Sequence, residues 1–131
     1  MSIIFMIIDD DADDKFFFKE ATERMFIFSV CLEANDGADA VNKLRKVEQL
    51  PDIIFLDMNM PRIDGRECLK ELKRESRLKS IPVIMYSTSF TDRTIAELQA
   101  LGPSDYLTKP TDTNKLPAQI YEVVRKHINL S

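Results

Sequence analysis

Ile53-Ile54-Phe55-Leu56 is an unbroken apolar run that ends on a carboxylate, Asp57, with Pro51 before it and Pro61 and Asp64-Gly65 after it. A short run rich in β-branched and aromatic residues, bounded by prolines, reads as a strand buried on both faces, as in a parallel sheet. Such a strand restricts what the chain can become. Parallel neighbours need crossover connections, and a strand covered on both faces needs helices on both sides of the sheet. It also delivers Asp57 to the carboxyl end of a strand, where open α/β sheets hold their ligands. Taken alone, Asp57 could equally cap the turn that follows.

The rest of the chain repeats the pattern. Ile3 to Ile8 is a second apolar run, and it too ends in carboxylates: Asp9, Asp10 and Asp11, with Asp13 and Asp14 close behind. Phe18, Ala21 and Met25, with Phe17 beside them, then recur at helical spacing, and Asp13 or Asp14 is the expected cap. Both acids are read as a solvated helix start. Of Phe16, Phe17 and Phe18, one ring is expected to stay outside the core. Ile27 to Glu33 alternates loosely up to the turn residues Asn35-Asp36-Gly37, and Ala40, Val41, Leu44 and Val47 form the next helical stripe. After the Asp57 strand, Glu67 to Leu78 predicts a charged helix with Cys68, Leu69 and Leu72 inward. Ile81 to Tyr86 is a further strand, ended by Ser87-Thr88-Ser89. Ile95, Leu98 and Leu101 give a helix stopped by Gly102-Pro103. Asp105 to Thr108 is a short last strand closed by Lys109-Pro110. Leu116, Ile120, Val123 or Val124, and Ile128 mark the final helix, whose first turn must accommodate Pro117. Strand and helix thus alternate five times, which predicts an α/β doubly wound parallel sheet with right-handed crossovers.

At 131 residues the chain suffices for a single domain, 1–131, with one core. Its net charge of -4 and pI near 5.0 argue against non-specific nucleic-acid binding, which needs a basic face. No apolar stretch is long enough to span a membrane, and Ile3 to Ile8 lacks the basic flank of a signal peptide. A cytoplasmic protein is expected, with Cys31 and Cys68 as free thiols. No Cys/His cluster suggests zinc; the only histidine is His127.

In a doubly wound sheet all strand carboxyl ends share one rim. Here the rim collects Asp9 and Asp10 after the first strand, Asp57 at the third, Ser87 at the fourth and Lys109 at the fifth. The second strand is an outer one in the flavodoxin-like order 2-1-3-4-5 and need not contribute. Crowded carboxylates repel unless a cation joins them, and Mg²⁺ suits oxygen ligands of this kind. A carboxylate can also accept a phosphoryl group. Lys109 and Ser87 would then stabilise its outer oxygens, and an ionised nucleophile needs no general base.

With these residues in view, the chain resembles a bacterial response-regulator receiver domain of the stand-alone, chemotaxis-regulator kind. The matching motifs are Ile8-Asp9-Asp10-Asp11, Leu56-Asp57-Met58-Asn59-Met60-Pro61 with Asp64-Gly65, Pro82-Val83-Ile84-Met85-Tyr86-Ser87, and Asp105-Tyr106-Leu107-Thr108-Lys109-Pro110. The resemblance implies a flavodoxin-like (βα)5 fold and two-component signal transduction. It implies that Asp57 is the phosphoacceptor, that Asp9, Asp10, Asp57 and the backbone carbonyl of Asn59 hold Mg²⁺, and that Ser87 and Lys109 hold the phosphoryl group. Ser87 and Tyr106 would form the switch, and the Lys109-Pro110 bond would be cis. The implied partners are a sensor histidine kinase and a downstream protein bound through the fourth helix, fifth strand and fifth helix, with neither nucleic acid nor membrane insertion. Such a protein is a phosphoacceptor switch, not an enzyme in the usual sense. Ser87 stands where threonine is commoner, and Gly102-Pro103 replaces the usual Gly-Ala.

The alternative within the same chemistry is a phosphorelay intermediate that passes its phosphoryl group to a histidine phosphotransfer protein. A haloacid-dehalogenase phosphatase fits less well, because Asn59 stands where its second aspartate would be. A receiver working without phosphate is disfavoured by the complete acid set. A flavin-binding flavodoxin is disfavoured by the lack of a phosphate loop after the first strand.

Overall fold

The computed structural model describes residues 2–25, 28–60 and 64–129. Strand and helix alternate along the chain as β1 (Ser2–Ile8), α1 (Ala12–Met25), β2 (Phe28–Ala34), α2 (Gly37–Lys46), β3 (Ile53–Asp57), α3 (Gly65–Arg74), β4 (Val83–Ser87), α4 (Asp92–Gln99), β5 (Asp105–Thr108) and α5 (Leu116–His127). A 3-10 turn, Thr113–Lys115, leads into α5 and places Pro117 in its first turn, where no backbone N–H is needed. The sheet order is β2-β1-β3-β4-β5 and every pairing is parallel, the doubly wound topology expected. No helix among the described residues is long and apolar enough to cross a membrane.

Each face of the sheet carries its own apolar layer. Met6, Ile8, Ile54, Leu56 and Met85 point toward α2, α3 and α4, meeting Leu44, Leu69, Leu72 and Leu98. Phe5, Ile7, Phe55 and Tyr86 point the other way, toward Phe18 of α1 and Ile120 and Val124 of α5. The alternation of side chains along a strand produces this division. β3 and β4 are buried along their whole length, which is why their sequences are continuously apolar. β2 lies at the sheet edge, and Phe28 and Val30 remain exposed there. Its expected first residue, Ile27, lies outside the described residues, as does Pro61.

Several local expectations are corrected. The cap of α1 is Asp11, not Asp13 or Asp14: its Oδ1 accepts from Asp13 N at 2.8 Å and Asp14 N at 3.0 Å. The inward stripe of α1 is Lys15, Phe18, Ala21 and Thr22, while Met25 is 38% exposed. Lys15 is buried because its ammonium donates to the Asn35 side chain. Two rings, Phe16 and Phe17, stand outside the core and meet edge to face. α3 ends at Arg74, because Glu75 adopts extended backbone; Leu78 still reaches the core from the turn beyond. The expected cis bond between Lys109 and Pro110 is absent, for every peptide bond among the described residues is trans. Trans is the lower-energy form even before proline. With it, Lys109 N still donates to Ser87 O at 2.6 Å and the side chain still reaches the rim.

One glycine is required by close approach. Asp64 caps α3, its Oδ1 accepting from Arg66 N and Glu67 N, and Gly65 N donates to Met58 O at 2.9 Å. The start of α3 thereby lies directly on the end of β3. A Cβ at Gly65 would fall 2.7 Å from both Asp57 O and Met58 Cα, which are backbone atoms and cannot rotate away. Gly65→Ala is therefore expected to cost roughly 1–3 kcal/mol by overpacking. Gly102, at φ +78 but with open space around it, should lose only about 1 kcal/mol on the same change. Urea unfolding of both variants checks the ranking.

Candidate functional site

Strand periodicity decides which rim residues can meet. Asp9 continues the alternation of Phe5 and Ile7, Asp57 that of Ile53 and Phe55, and Lys109 that of Leu107, so all three project on the α1–α5 side of the sheet. The register places Ile8 beside Leu56 and Asp57 beside Tyr86, bringing the ends of β1, β3 and β4 level. The result is a polar pocket of about 200 Å³ lined by Asp9, Asp10, Asp11, Asp14, Asp57, Asn59, Thr88 and Lys109.

The Lys109 ammonium is the hub of this pocket. Nζ lies 2.9 Å from Asp9 Oδ2, 2.8 Å from Asp14 Oδ2 and 3.3 Å from Asp57 Oδ1, and 5.1 Å from the centre of the Tyr86 ring. Burial works against its charge, but the hydrogen bonds it donates to Asp14 and Asp9 and the fields of Asp9 and Asp57 outweigh that and hold its pKa above the ordinary lysine range. Asp9 is fully buried, and burial raises its pKa against the pull of Lys109 and of the Asp11 N–H that it accepts at 2.9 Å. Asp57 is 5% exposed; burial first, and the neighbouring Asp9 charge second, push its carboxyl up to about 6. One ammonium thus fails to compensate the carboxylates around it.

That deficit bears on a metal. Asp9, Asp10 and Asp57 each present a carboxylate oxygen, and these oxygens lie within 4.8 Å of one another. A set of hard oxygen donors with uncompensated negative charge fits a hard divalent cation such as Mg²⁺. Asn59 lines the same pocket, and its N–H reaches toward Asp57 Oδ1 at 3.5 Å.

Two of the expected residues sit beside the pocket. Ser87 is buried and its hydroxyl donates to Ser89 O at 3.0 Å, so the pocket wall on that side is Thr88. Tyr106, half-buried, packs edge-on to Phe90 with ring centres 5.6 Å apart. It pairs with Met85, two residues before Ser87, so Ser87 and Tyr106 share the α2–α3–α4 side of the sheet, opposite to Asp57 and Lys109. Asp14 is the pocket residue that sequence reasoning missed. An acid in a helix's first turn is ordinary there, and only the fold brings it to a lysine 95 positions away.

Known proteins share this arrangement. The profile of the response regulator receiver domain matches residues 5–121. The chain is 29% identical over 124 residues to the probable methanogenesis regulatory protein FilR2 of Methanothrix harundinacea (strain 6Ac), covering 92% of this chain and 80% of that protein. It is 38% identical over 95 residues to the phosphate regulon transcriptional regulatory protein PhoB of Escherichia coli (strain K12), covering 72% of this chain but only 41% of PhoB. Among solved structures, the phosphorylated cyanobacterial phytochrome response regulator RcpA superposes with a TM-score of 0.88 at 27% identity, covering 100% of this chain and 97% of that one. The Mn²⁺-bound response regulator Rcp1 does so at 0.82 and 25%, covering 98% and 97%. With its five-stranded parallel sheet and acidic rim, the chain belongs to the response-regulator receiver family of two-component signalling.

Proposed function

We propose that Asp57 accepts a phosphoryl group from a sensor histidine kinase and that the modified domain acts by binding a protein partner. The observation that carries this reading is the convergence of Asp9, Asp57 and Lys109 on one pocket, with the Lys109 ammonium bonded to both carboxylates. Receiver domains are phosphoacceptor switches rather than enzymes in the usual sense, and they generally bind Mg²⁺ at an acidic pocket. Asp9, Asp10, Asp57 and the Asn59 carbonyl are the residues that would hold the ion here. When bound, Mg²⁺ offsets the carboxylates and neutralises charge on the phosphoryl oxygens.

In the transfer, an Asp57 carboxylate oxygen forms a bond to phosphorus as the bond from phosphorus to the donor's imidazole nitrogen breaks. The electron pair leaves with the imidazole. Lys109 stabilises the charge on the transferring group, and burial keeps water from the new acyl phosphate. The Ser87 hydroxyl, leaving Ser89 O for a phosphoryl oxygen, would open space on the face it shares with Tyr106. Tyr106 would turn in, changing the surface of α4, β5 and α5 that a partner reads. On this reading residues 1–131 act as one receiver unit in the cytoplasm, signalling through protein contacts.

Incubation with acetyl phosphate and Mg²⁺ should add one phosphoryl group to the wild type by intact mass. Asp57→Asn and metal-free samples should gain none. A wild type that gains nothing, and forms no beryllofluoride adduct, would sink the reading.

The raised Asp57 pKa has a thermodynamic sign. The folded carboxyl holds its proton up to about pH 6, whereas the unfolded one loses it near its ordinary value of 3.8. Ionisation therefore disfavours the fold, and stability contributed by the protonated form is lost as pH rises between those values. In metal-free buffer, Asp57→Asn is expected to be more stable than wild type by on the order of 2 kcal/mol at pH 7–8, the two converging below pH 4. Urea titrations across pH check this, and added Mg²⁺ should narrow the gap.

A further inference from the structure

The sheet has two edge strands, and they are finished differently. β5 is four residues long and opens on Asp105, whose carboxylate meets His127 of α5 at 2.9 Å. Short length and charge are common means by which an edge avoids pairing with another chain. β2 is seven residues long, Phe28 to Ala34, with neither proline nor lysine in it. It pairs with β1 without a bulge, from Ser2 beside Phe28 to Ile8 beside Ala34. Its backbone is guarded at one end. Ala34 O turns inward to accept from Asp9 N at 3.0 Å, so Glu33 O, one residue earlier, turns outward, where Lys43 Nζ donates to it at 2.7 Å. The Cys31 N–H and C=O, two residues before Glu33, face that same open side.

The side chains at this edge are apolar as well. Leu32 packs in the α2–α3–α4 layer with Met6, and Val30 and Phe28 follow on the same side at a spacing of two. Val30 is 55% exposed and Phe28 64%. On the other side of the sheet the Cys31 thiol, raised first by burial, also feels the charges of Glu33, Lys19 and Glu23. Lys19 and Glu23 are exposed and four apart on α1, so that flank of the helix overlooks β2. α1 ends at Met25 and β2 starts at Phe28, which sets Glu23 toward the start of the strand and Lys19 toward its end.

These features are self-complementary. An antiparallel neighbour related by a two-fold axis at Val30 sets Val30 against Val30 and Phe28 against Leu32, apolar on apolar. It gives the Cys31 backbone a ladder partner and leaves the Lys43 cap on Glu33 in place. It also carries Lys19 of one copy toward Glu23 of the other. We propose that β2 is a homodimerisation edge, through which two copies of the chain pair antiparallel about Val30 and join their sheets into one. The contact lies at the opposite edge from β5, so the acidic pocket and the surface of α4, β5 and α5 stay open. The inference goes beyond the receiver reading and does not depend on it. A contact of one strand and one helix flank is small, so the dimer should be weak, with Kd on the order of 100 µM.

Sedimentation velocity of the full chain between about 10 µM and about 1 mM tests it. Wild type should pass from monomer to dimer over that range. Val30→Lys, which places an ammonium on the axis, should raise Kd by about tenfold or more while leaving the urea midpoint near that of wild type. Gln99→Lys, which adds the same charge to the exposed surface of α4, should leave the dimer unchanged. Lys19→Glu should weaken association, and adding Glu23→Lys to it should restore it, because the swapped pair meets across the axis in the same way. Amide NMR shifts that grow with concentration should centre on β2, Lys19 and Glu23. A wild type still monomeric at the top of the range would overturn the proposal. So would a dimer indifferent to Val30→Lys or to the charge swap, or one lost equally in Gln99→Lys. Concentration-dependent shifts centred on α4, β5 and α5 would overturn it too, by moving the interface to the other edge.

Discussion

Lys109 supplies the positive charge that lets this rim exist. Two strands end in buried carboxylates, Asp9 and Asp57, on the same side of the sheet, and α1 adds Asp14 above them. Each buried carboxylate would carry a desolvation penalty of several kcal/mol without a partner. One ammonium, reached from the end of β5, serves all three. The compensation is incomplete: burial first, and the neighbouring Asp9 charge second, still hold the Asp57 carboxyl above its ordinary pKa. A site left short of positive charge is receptive to a cation.

The same geometry sorts the residues by role. Asp57 and Lys109 emerge on the α1–α5 side of the sheet, Ser87 and Tyr106 on the other. On the proposed function, chemistry and readout occupy opposite faces of one sheet, joined at the strand ends. Ser87 lies at that junction, its hydroxyl bonded to the loop that follows β4. The close seating of α3 on β3 through Gly65 ties a second element to the backbone beside Asp57.

Much of this was legible in the sequence because the physics behind it is local. Runs buried on both faces, as in β3 and β4, can only be written in apolar residues, and the acids that end them stand out. β5 is found as Asp105–Thr108, as its pattern and the closing Lys109-Pro110 predict. What escaped is non-local or polar. Lys15 takes a place on the inward face of α1 that an apolar stripe assigns elsewhere, because its partner Asn35 makes burial tolerable. Asp11, Asp13 and Asp14 are interchangeable as helix-start acids until the backbone decides which one caps. Asp14's bond to Lys109 depends on the closing of the whole fold. The isomer of the Lys109-Pro110 bond carries no mark in periodicity at all.

Burial is graded across the sheet, from the fully covered β3 and β4 to the half-exposed edge strand β2, which contributes none of the pocket's lining. Local opening free energies follow burial and contact density. Backbone amides of β2 would therefore exchange with solvent through small fraying motions, while those beside Asp57 exchange only when the whole domain opens. The candidate pocket is mounted on the slowest-exchanging part of the sheet, and only the carboxyl end of β2, where Ala34 O accepts from Asp9 N at 3.0 Å, ties the edge strand to it.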